Sequence, residues 1–432
     1  MPEVEDQVRG AFKPRLKWIL GGLVALALIA GGVAVFHPKA GGSRAAATAH
    51  GQPAKLPVEP ADWHGRIDYR ALDARFNAMM TDRSMQGLAV AVIEDGRLSF
   101  VRGYGLTSAQ DGKPVDAHTV FRWASLSKTV SGTLAARLAA DGVFSLTDPL
   151  EVFHTSLRLP GEAQNALTVE QLLAQRTGLP KHAYDDRLED DKDPAEIRQA
   201  LGAVPPACPP GTCHSYQNVA YDTITEVIRA RTNEAYADTV DKRLFAPLGM
   251  TSATIGEAGL TGAKDWARPH GDRRVLPLSE AYYRVPSAAG VNSTIVDLAT
   301  WMQAQMGLRP DVLPSKVLEE VHRPRVATAR PYGRLSIARA LSNAGYGLGM
   351  RSFDFKGHRL VGHSGGVSGY RATMMFDPVT KTGIAMLWNS NANLPFRFQA
   401  EFFDRAYGEP YTDWLELKSE TSDGAPTMAD AG

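Results

Sequence analysis

An excess of either charge is missing from this chain of 432 residues, in which Lys and Arg total 47 and Asp and Glu total 47. Without a basic field nothing draws the phosphates of a nucleic acid, and without an acidic one the composition is not that of a solvating tail protein. Nucleic acid is therefore excluded as an expected partner. Metal-ligand spacings are missing too: there is no Cys-x-x-Cys pair and no His-Glu-x-x-His helix, so no metal is expected, and nothing implies an organic cofactor. No internal repeat of fixed period is present. Cysteine is down to two, Cys208 and Cys213 in A-C-P-P-G-T-C-H. The Pro-Pro-Gly between them favours a tight turn that brings the two Cα atoms into bridging range, so a disulfide is expected in an oxidising compartment.

What is present is a folded protein's apolar share, 44%, in a chain long enough to bury a large core. One stretch departs from that average. From Trp18 to Phe36 the sequence W-I-L-G-G-L-V-A-L-A-L-I-A-G-G-V-A-V-F carries no charge. As a helix it would span roughly 28 Å at about 1.5 Å per residue, enough to cross a bilayer's hydrocarbon core. Arg9, Lys13, Arg15 and Lys17 crowd its front edge, which by the positive-inside tendency leaves residues 1–17 in the cytoplasm and the rest periplasmic or extracellular. A retained single-pass anchor in the inner (cytoplasmic) membrane is the expectation; a cleaved export signal is the competing one.

Residues 37–60 are rich in Gly, Ala, Pro and Ser and read as a flexible tether. A folded domain is expected over 61–412 and a disordered polar tail over 413–432. The domain opens with a helix from about Asp68 to Met80, then two apolar runs around Asp95-Gly96, a strong hairpin signal. Its far end holds three short strand-like runs, R-L-V-G-H-S, R-A-T-M-M-F and I-A-M-L-W-N, and a closing helix R-F-Q-A-E-F-F-D-R-A-Y. Between the ends helical periodicity dominates, from about Lys128 to Gln305. The expected class is α+β: an antiparallel sheet built from both ends of the chain, flanked by helices, with an inserted, mostly helical subdomain, all preceded by one transmembrane helix.

Three stretches carry potential chemistry. In F-R-W-A-S-L-S-K-T, Ser125 and Lys128 lie one helical turn apart, so an amine can take the serine proton, and the helix start favours an alkoxide. Tyr216 and Asn218 are two apart in an extended segment and point the same way. His363-Ser364-Gly365-Gly366 ends a strand, where glycines let a ligand's backbone approach. Taken singly, each has a structural reading: a helix cap, a packed tyrosine, a strand histidine.

In this order and spacing the three stretches resemble the penicillin-recognising serine hydrolases, the family of class C β-lactamases, D-alanyl-D-alanine carboxypeptidases and related esterases. D-G-V-F-S-L-T-D-P-L, L-T-V-E-Q-L-L-A-Q-R-T-G-L-P, A-A-G-V-N-S-T-I-V-D-L-A-T-W and G-Y-G-L-G-M are similar to that family's connecting segments. One departure is Q-R-T-G where the family commonly has His-Thr-Ser-Gly. The resemblance implies a β-lactamase/transpeptidase-like fold, Ser125 as nucleophile, Lys128 and Tyr216 as the proton-transferring pair, and Asn218 holding Lys128 and substrate. It places His363, Ser364, Gly365 and Gly366 along the substrate, with the backbone N–H groups of Ser125 and Gly366 as oxyanion donors. Substrates would be a cell-wall D-amino-acid peptide, an ester or a β-lactam, and a catalytically silent wall-binding protein is the reading from another class.

Lys381-Thr382-Gly383 spells a triplet that lines the cleft of many such enzymes. If it were the third box, only one strand would remain after it; with His363-Ser364-Gly365 as the box, two strands follow, as in the family. The triplet is expected to be a hairpin turn. Histidine in place of a permanently charged lysine is similar to the peptidase and esterase members more than to dedicated class C β-lactamases.

Overall fold

The computed structural model describes residues 56–329 and 332–417. The expected cytoplasmic tail, the membrane span 18–36 and residues 37–55 of the tether lie outside them. Among the described residues no helix is long and apolar enough to cross a membrane.

Helix α1 (Tyr69–Met79) starts where Asp68 accepts from the Arg70 and Ala71 N–H groups, and it buries Leu72, Phe76 and Met79 on one face. Strands β1 (Gly87–Glu94) and β2 (Arg97–Gly105) follow, joined through Asp95 and Gly96 at φ 49° and 81°. Two left-handed residues give the primed turn that matches strand twist. The polypeptide then leaves the sheet for the helical subdomain, which includes α2 (Lys128–Ala140) and α3 (Ile295–Gln305). It returns through β3 (Val326–Ala327), β4 (Leu341–Tyr346), β5 (Arg351–Phe355), β6 (His358–Val367), β7 (Tyr370–Asp377) and β8 (Thr382–Trp388), and closes with α4 (Leu394–Tyr407).

The eight strands form one sheet in the order β2-β1-β8-β7-β6-β5-β4-β3, and its ladders are antiparallel. Register is set at the junction of the two chain ends, where Leu88 faces Trp388 and Ile93 faces Gly383. Period-two alternation then sends Leu88, Val90, Val92, Ile384, Met386 and Trp388 to a core shared with α1 and α4. Ala89, Ala91, Ile93, Ala385 and Leu387 go to the core beneath the helical subdomain. Both faces are covered, so each buried Val, Leu or Ile contributes about 1.5–3 kcal/mol against the conformational entropy of ordering the chain.

The helical subdomain is tied together by side chains as well as by apolar contact. Trp301 Nε1 donates to Thr129 Oγ1 at 3.0 Å and Gln305 Nε2 to Thr133 Oγ1 at 2.9 Å, linking α3 to α2. Of the triplet expected to be a hairpin turn, only Lys381 lies in the turn from β7 to β8, at φ 53° with its amine donating to the Met306 carbonyl, while Thr382 and Gly383 open β8, paired with Asp377 and Phe376. At the start of the expected tail, the Trp414 indole donates to Asp404 and Leu415 is buried against the α4 side of the core; residues 418–432 lie outside the description.

Helix α2 approaches the turn between β4 and β5 so closely that a Cβ on Gly132 would meet the Leu348 carbonyl oxygen at 2.0 Å. Gly132→Ala should therefore cost about 1–3 kcal/mol by overpacking, against the small gain that alanine ordinarily brings to a helix. A lowered urea midpoint with an unchanged m-value is the expected result.

Candidate active site

The first stretch folds as a tight 3-10 turn, Ala124–Ser127, running directly into α2. Its geometry is held from outside. Phe121–Arg122 pairs with Val291–Ser293, the Trp123 indole donates to Ser293 Oγ at 2.9 Å, and Ser127 donates to the Ala124 carbonyl while accepting from Val291 N. Ala124 sits at φ 49°, a left-handed conformation costly for a residue with a Cβ, which persists because these contacts over-determine it. Ser127 is thereby occupied in structure, and Ser125 is the partly exposed member that lines the cleft.

Lys128 is fully buried. Its amine donates to Asn218 Oδ1 at 2.7 Å and to the Ala288 carbonyl at 3.1 Å, and it lies 4.7 Å from the Tyr216 ring centre and 5.3 Å from that of Tyr221. A buried amine needs such partners, since an unpaired one would forfeit its hydration for nothing. Tyr216 and Asn218 are presented together because Gln217 between them is clamped: Gln175 Oε1 accepts from its N–H at 2.7 Å and Gln175 Nε2 donates to its carbonyl at 3.1 Å. This gives the departing Q-R-T-G segment a definite role, with the buried glutamine fixing the second stretch to the α2 side of the cleft.

Strand β6 supplies the third stretch. Its ladder with β5 ends at Gly362 opposite Arg351, so Ser364–Val367 is paired only with β7 and leaves a strand edge free toward the cleft. Gly365 packs on the nucleophile turn: a Cβ there would lie 2.0 Å from Trp123 O and 2.9 Å from Ser125 N. His363 is buried. Burial, then the Arg351 and Lys128 charges, holds its imidazole well below the ordinary histidine range, so the ring is neutral. Its Nδ1–H donates to the Ser364 carbonyl at 2.7 Å, and Nε2 accepts from the Tyr346 hydroxyl at 3.1 Å; burial pushes Tyr346 well above the ordinary phenol range, which keeps that donor protonated.

Ser125, Tyr216, His363 and Ser364 line one cleft of about 930 Å³, with Lys128 and Asn218 beneath it. Cys208 and Cys213 are joined, Cα to Cα 6.4 Å, and Cys213 reaches the cleft rim. Sequence reasoning missed four contributors: Gln175, Arg351, His182 and Asp185. Arg351 lies over the Tyr346 and Tyr216 rings, 5.1 and 5.7 Å from their centres. Among the described residues no Asp or Glu lines this cleft, whereas Lys181 and Arg351 do. No pattern in the sequence marks Arg351, since only the turn from β4 to β5 aims it inward. Among the described residues no group of His, Cys, Asp and Glu could hold a metal ion.

A sequence model of the Beta-lactamase family matches residues 72–409, which contain all three stretches. The chain belongs to that family. A penicillin-binding protein 4 from Amycolatopsis lactamdurans is 25% identical over 356 residues, 79% of this chain and 90% of the relative. An unguisins hydrolase from Aspergillus violaceofuscus is 25% identical over 331 residues, 70% of this chain; the match spans only 58% of that relative's length. Among solved structures, an octameric penicillin-binding protein homologue from Pyrococcus abyssi superposes with a TM-score of 0.71 at 23% identity, covering 79% of this chain and 78% of its own. A class C beta-lactamase mutant gives 0.65 at 20% identity, covering 80% and 99%. The family's penicillin-recognising serine-hydrolase architecture is thus shared, as a β-lactamase/transpeptidase-like α+β fold.

Neutral histidines, His363 buried and His214 and His322 partly so, give this family member a pH-sensitive stability. Burial with the neighbouring Lys381 charge holds His322 to about 4, burial with Arg351 and Lys181 holds His214 to about 4, and His363 is depressed as well. The unfolded chain takes up protons at about pH 6.5, before the folded one does, so stability is full above that value and is lost as pH falls toward 4. The thermal midpoint should drop across this window. His322→Gln, which leaves a donor for Gln305, should flatten the profile by up to about 3 kcal/mol.

Proposed function

We propose that this protein is a serine hydrolase that forms an acyl-enzyme on Ser125 and acts on amides or esters bearing an anionic group, a cell-wall D-amino-acid peptide ending in a free carboxylate being the expected class. The observation that carries this reading is the pairing of a nucleophile turn with an Arg351 guanidinium that, among the described residues, no carboxylate neutralises, in a cleft that no described Asp or Glu lines. A guanidinium fork suits a planar carboxylate. With His363 neutral, Arg351 supplies the fixed cation that the third box lacks.

In this mechanism the Lys128 and Tyr216 pair takes the Ser125 proton as Oγ attacks the carbonyl carbon, and the Ser125 and Gly366 N–H groups receive the developing oxyanion. Tyr216 returns the proton to the leaving group, and water releases the acyl group. Asn218 keeps the Lys128 amine in place through their 2.7 Å contact. The names of the relatives, a hydrolase and a penicillin-binding protein, agree with acyl transfer without choosing among peptide, ester and β-lactam. Residues 18–36 are proposed to hold the domain outside a membrane; release of the full chain by alkaline carbonate would overturn that placement.

Intact-mass analysis after mixing with a penicillin should show one penicilloyl group on the wild type and none on Ser125→Ala; activity retained by Ser125→Ala would sink the scheme, and a wild type that reacts with neither a penicillin nor an ester would favour a silent binding protein. A charge-assisted contact contributes about 1.5–3 kcal/mol, so Arg351→Gln should lower kcat/KM for a D-alanyl-D-alanine peptide roughly 10- to 100-fold. Turnover of the uncharged ester p-nitrophenyl acetate should stay within about threefold. Equal losses on both substrates would remove Arg351 from carboxylate recognition and leave an esterase reading.

A further inference from the structure

We propose that His182 and Asp185 form a second acid–base pair of this cleft, in which His182 takes the proton of the water that hydrolyses the Ser125 acyl-enzyme. The inference rests on the serine-hydrolase reading above. His182 Nδ1 lies 2.8 Å from Asp185 Oδ2, and the same carboxylate oxygen accepts from Asn218 Nδ2 at 2.7 Å. A carboxylate can only accept, so the neutral form of His182 carries its proton on Nδ1 and has its lone pair on Nε2. Asn218 Nδ2 also stands 3.5 Å from His182 Nδ1, too long to compete with the carboxylate. Nε2 has no protein partner among the described residues.

Position separates this pair from Lys128. The lysine amine is fully buried and donates to two acceptors, whereas the His182 side chain is 44% exposed, and its ring lies 5.5 Å from that of Tyr216 on the wall of the cleft that Ser125 lines. Water reaching an ester on Ser125 comes from the open side, where His182 stands. Behind the histidine, the Asp185 side chain is only 10% exposed, as suits a group that orients a base and does not itself meet substrate. The backbone around the pair is held in an unfavourable form: His182 and Tyr184 are left-handed, φ 58° and 59°, a cost that recurs at functional sites. The His182 N–H donates to the Tyr216 carbonyl at 2.9 Å, so the same contact that fixes the histidine also fixes the tyrosine.

The step balances without a further reactant. The water oxygen bonds to the acyl carbon while its proton passes to His182 Nε2. The tetrahedral intermediate collapses by breaking the bond from carbon to Ser125 Oγ, which regains its proton from the His182 imidazolium, relayed through the Lys128 and Tyr216 pair. The acid product leaves, with the His182 imidazole neutral again and the Lys128 and Tyr216 pair in the base form that the next acylation needs.

The test is stopped-flow hydrolysis of p-nitrophenyl acetate by the full chain. In His182→Gln, nitrophenolate should appear as a burst of one equivalent per Ser125, no slower than about a third of the wild-type rate. A steady phase about 10²-fold below wild type should follow, the size general-base assistance commonly has, with acetyl-Ser125 accumulating by intact mass. Asp185→Asn should shift the same two phases in the same direction. Wild-type rates in both phases would overturn the proposal, and so would an equal fall in both, which marks a merely structural role. A wild-type protein that releases no nitrophenolate and takes up no acyl group would instead sink the serine-hydrolase reading itself, and the pair with it. A variant whose urea midpoint falls below wild type is replaced by His182→Asn, read by the same two criteria.

Discussion

The burial of one amine organises this site. Lys128 is out of water, and a group of that polarity is tolerated there only with acceptors and ring faces around it. Those partners come from far apart in the chain: Asn218 and Tyr216 from the segment after the disulfide turn, Tyr221 from the turn that follows, and the Ala288 carbonyl from the segment leading to α3. Satisfying the amine thus brings these segments against α2, and the serine one turn earlier comes to stand where they converge. Asn218 faces two ways, accepting from Lys128 and donating to Asp185, so the deep amine and the rim histidine belong to one hydrogen-bonded chain.

Across the cleft the constraint is steric. Gly365 lies against the backbone of the nucleophile turn with no room for a side chain, which fixes the height of the β6 edge relative to Ser125. Beside it, the order of hydrogen bonds around His363 leaves no proton ambiguous: Nδ1 is spent on Ser364 and Nε2 on Tyr346. A neutral histidine cannot supply a standing charge, and the cations of the cleft are Arg351 on the neighbouring strand and Lys181. In the proposed reading, substrate is recognised by two strands, one presenting backbone and the other presenting charge.

How much of this was legible beforehand differs from residue to residue for physical reasons. The helix from about Asp68 to Met80, the hairpin at Asp95-Gly96 and the strand-like runs at the two ends are decided by contacts a few residues long, and the structure repeats them. Lys381-Thr382-Gly383 could be read as a turn because two strands had to follow the third box, a matter of chain order, not of packing. Gln175 was read only as a departure from a familiar pattern; its clamp on Gln217 spans 42 residues of sequence, and no local rule points across that distance.

By itself the sequence determined the helix and hairpin that open the domain, the three strands and the helix that close it, the class of the fold and the three stretches that carry hydroxyl, amine, phenol and strand edge, because periodicity and turn chemistry act over short range, whereas β3, β4 and β5 went unread. Only the tertiary structure decided that His363 is neutral, that Arg351 lines the cleft of Ser125 with no acidic partner among the described residues, and that His182 stands on Asp185 at the rim. Charge state and orientation follow from burial and from neighbours that are distant in the chain, and those exist only once the sheet has closed over the helical subdomain.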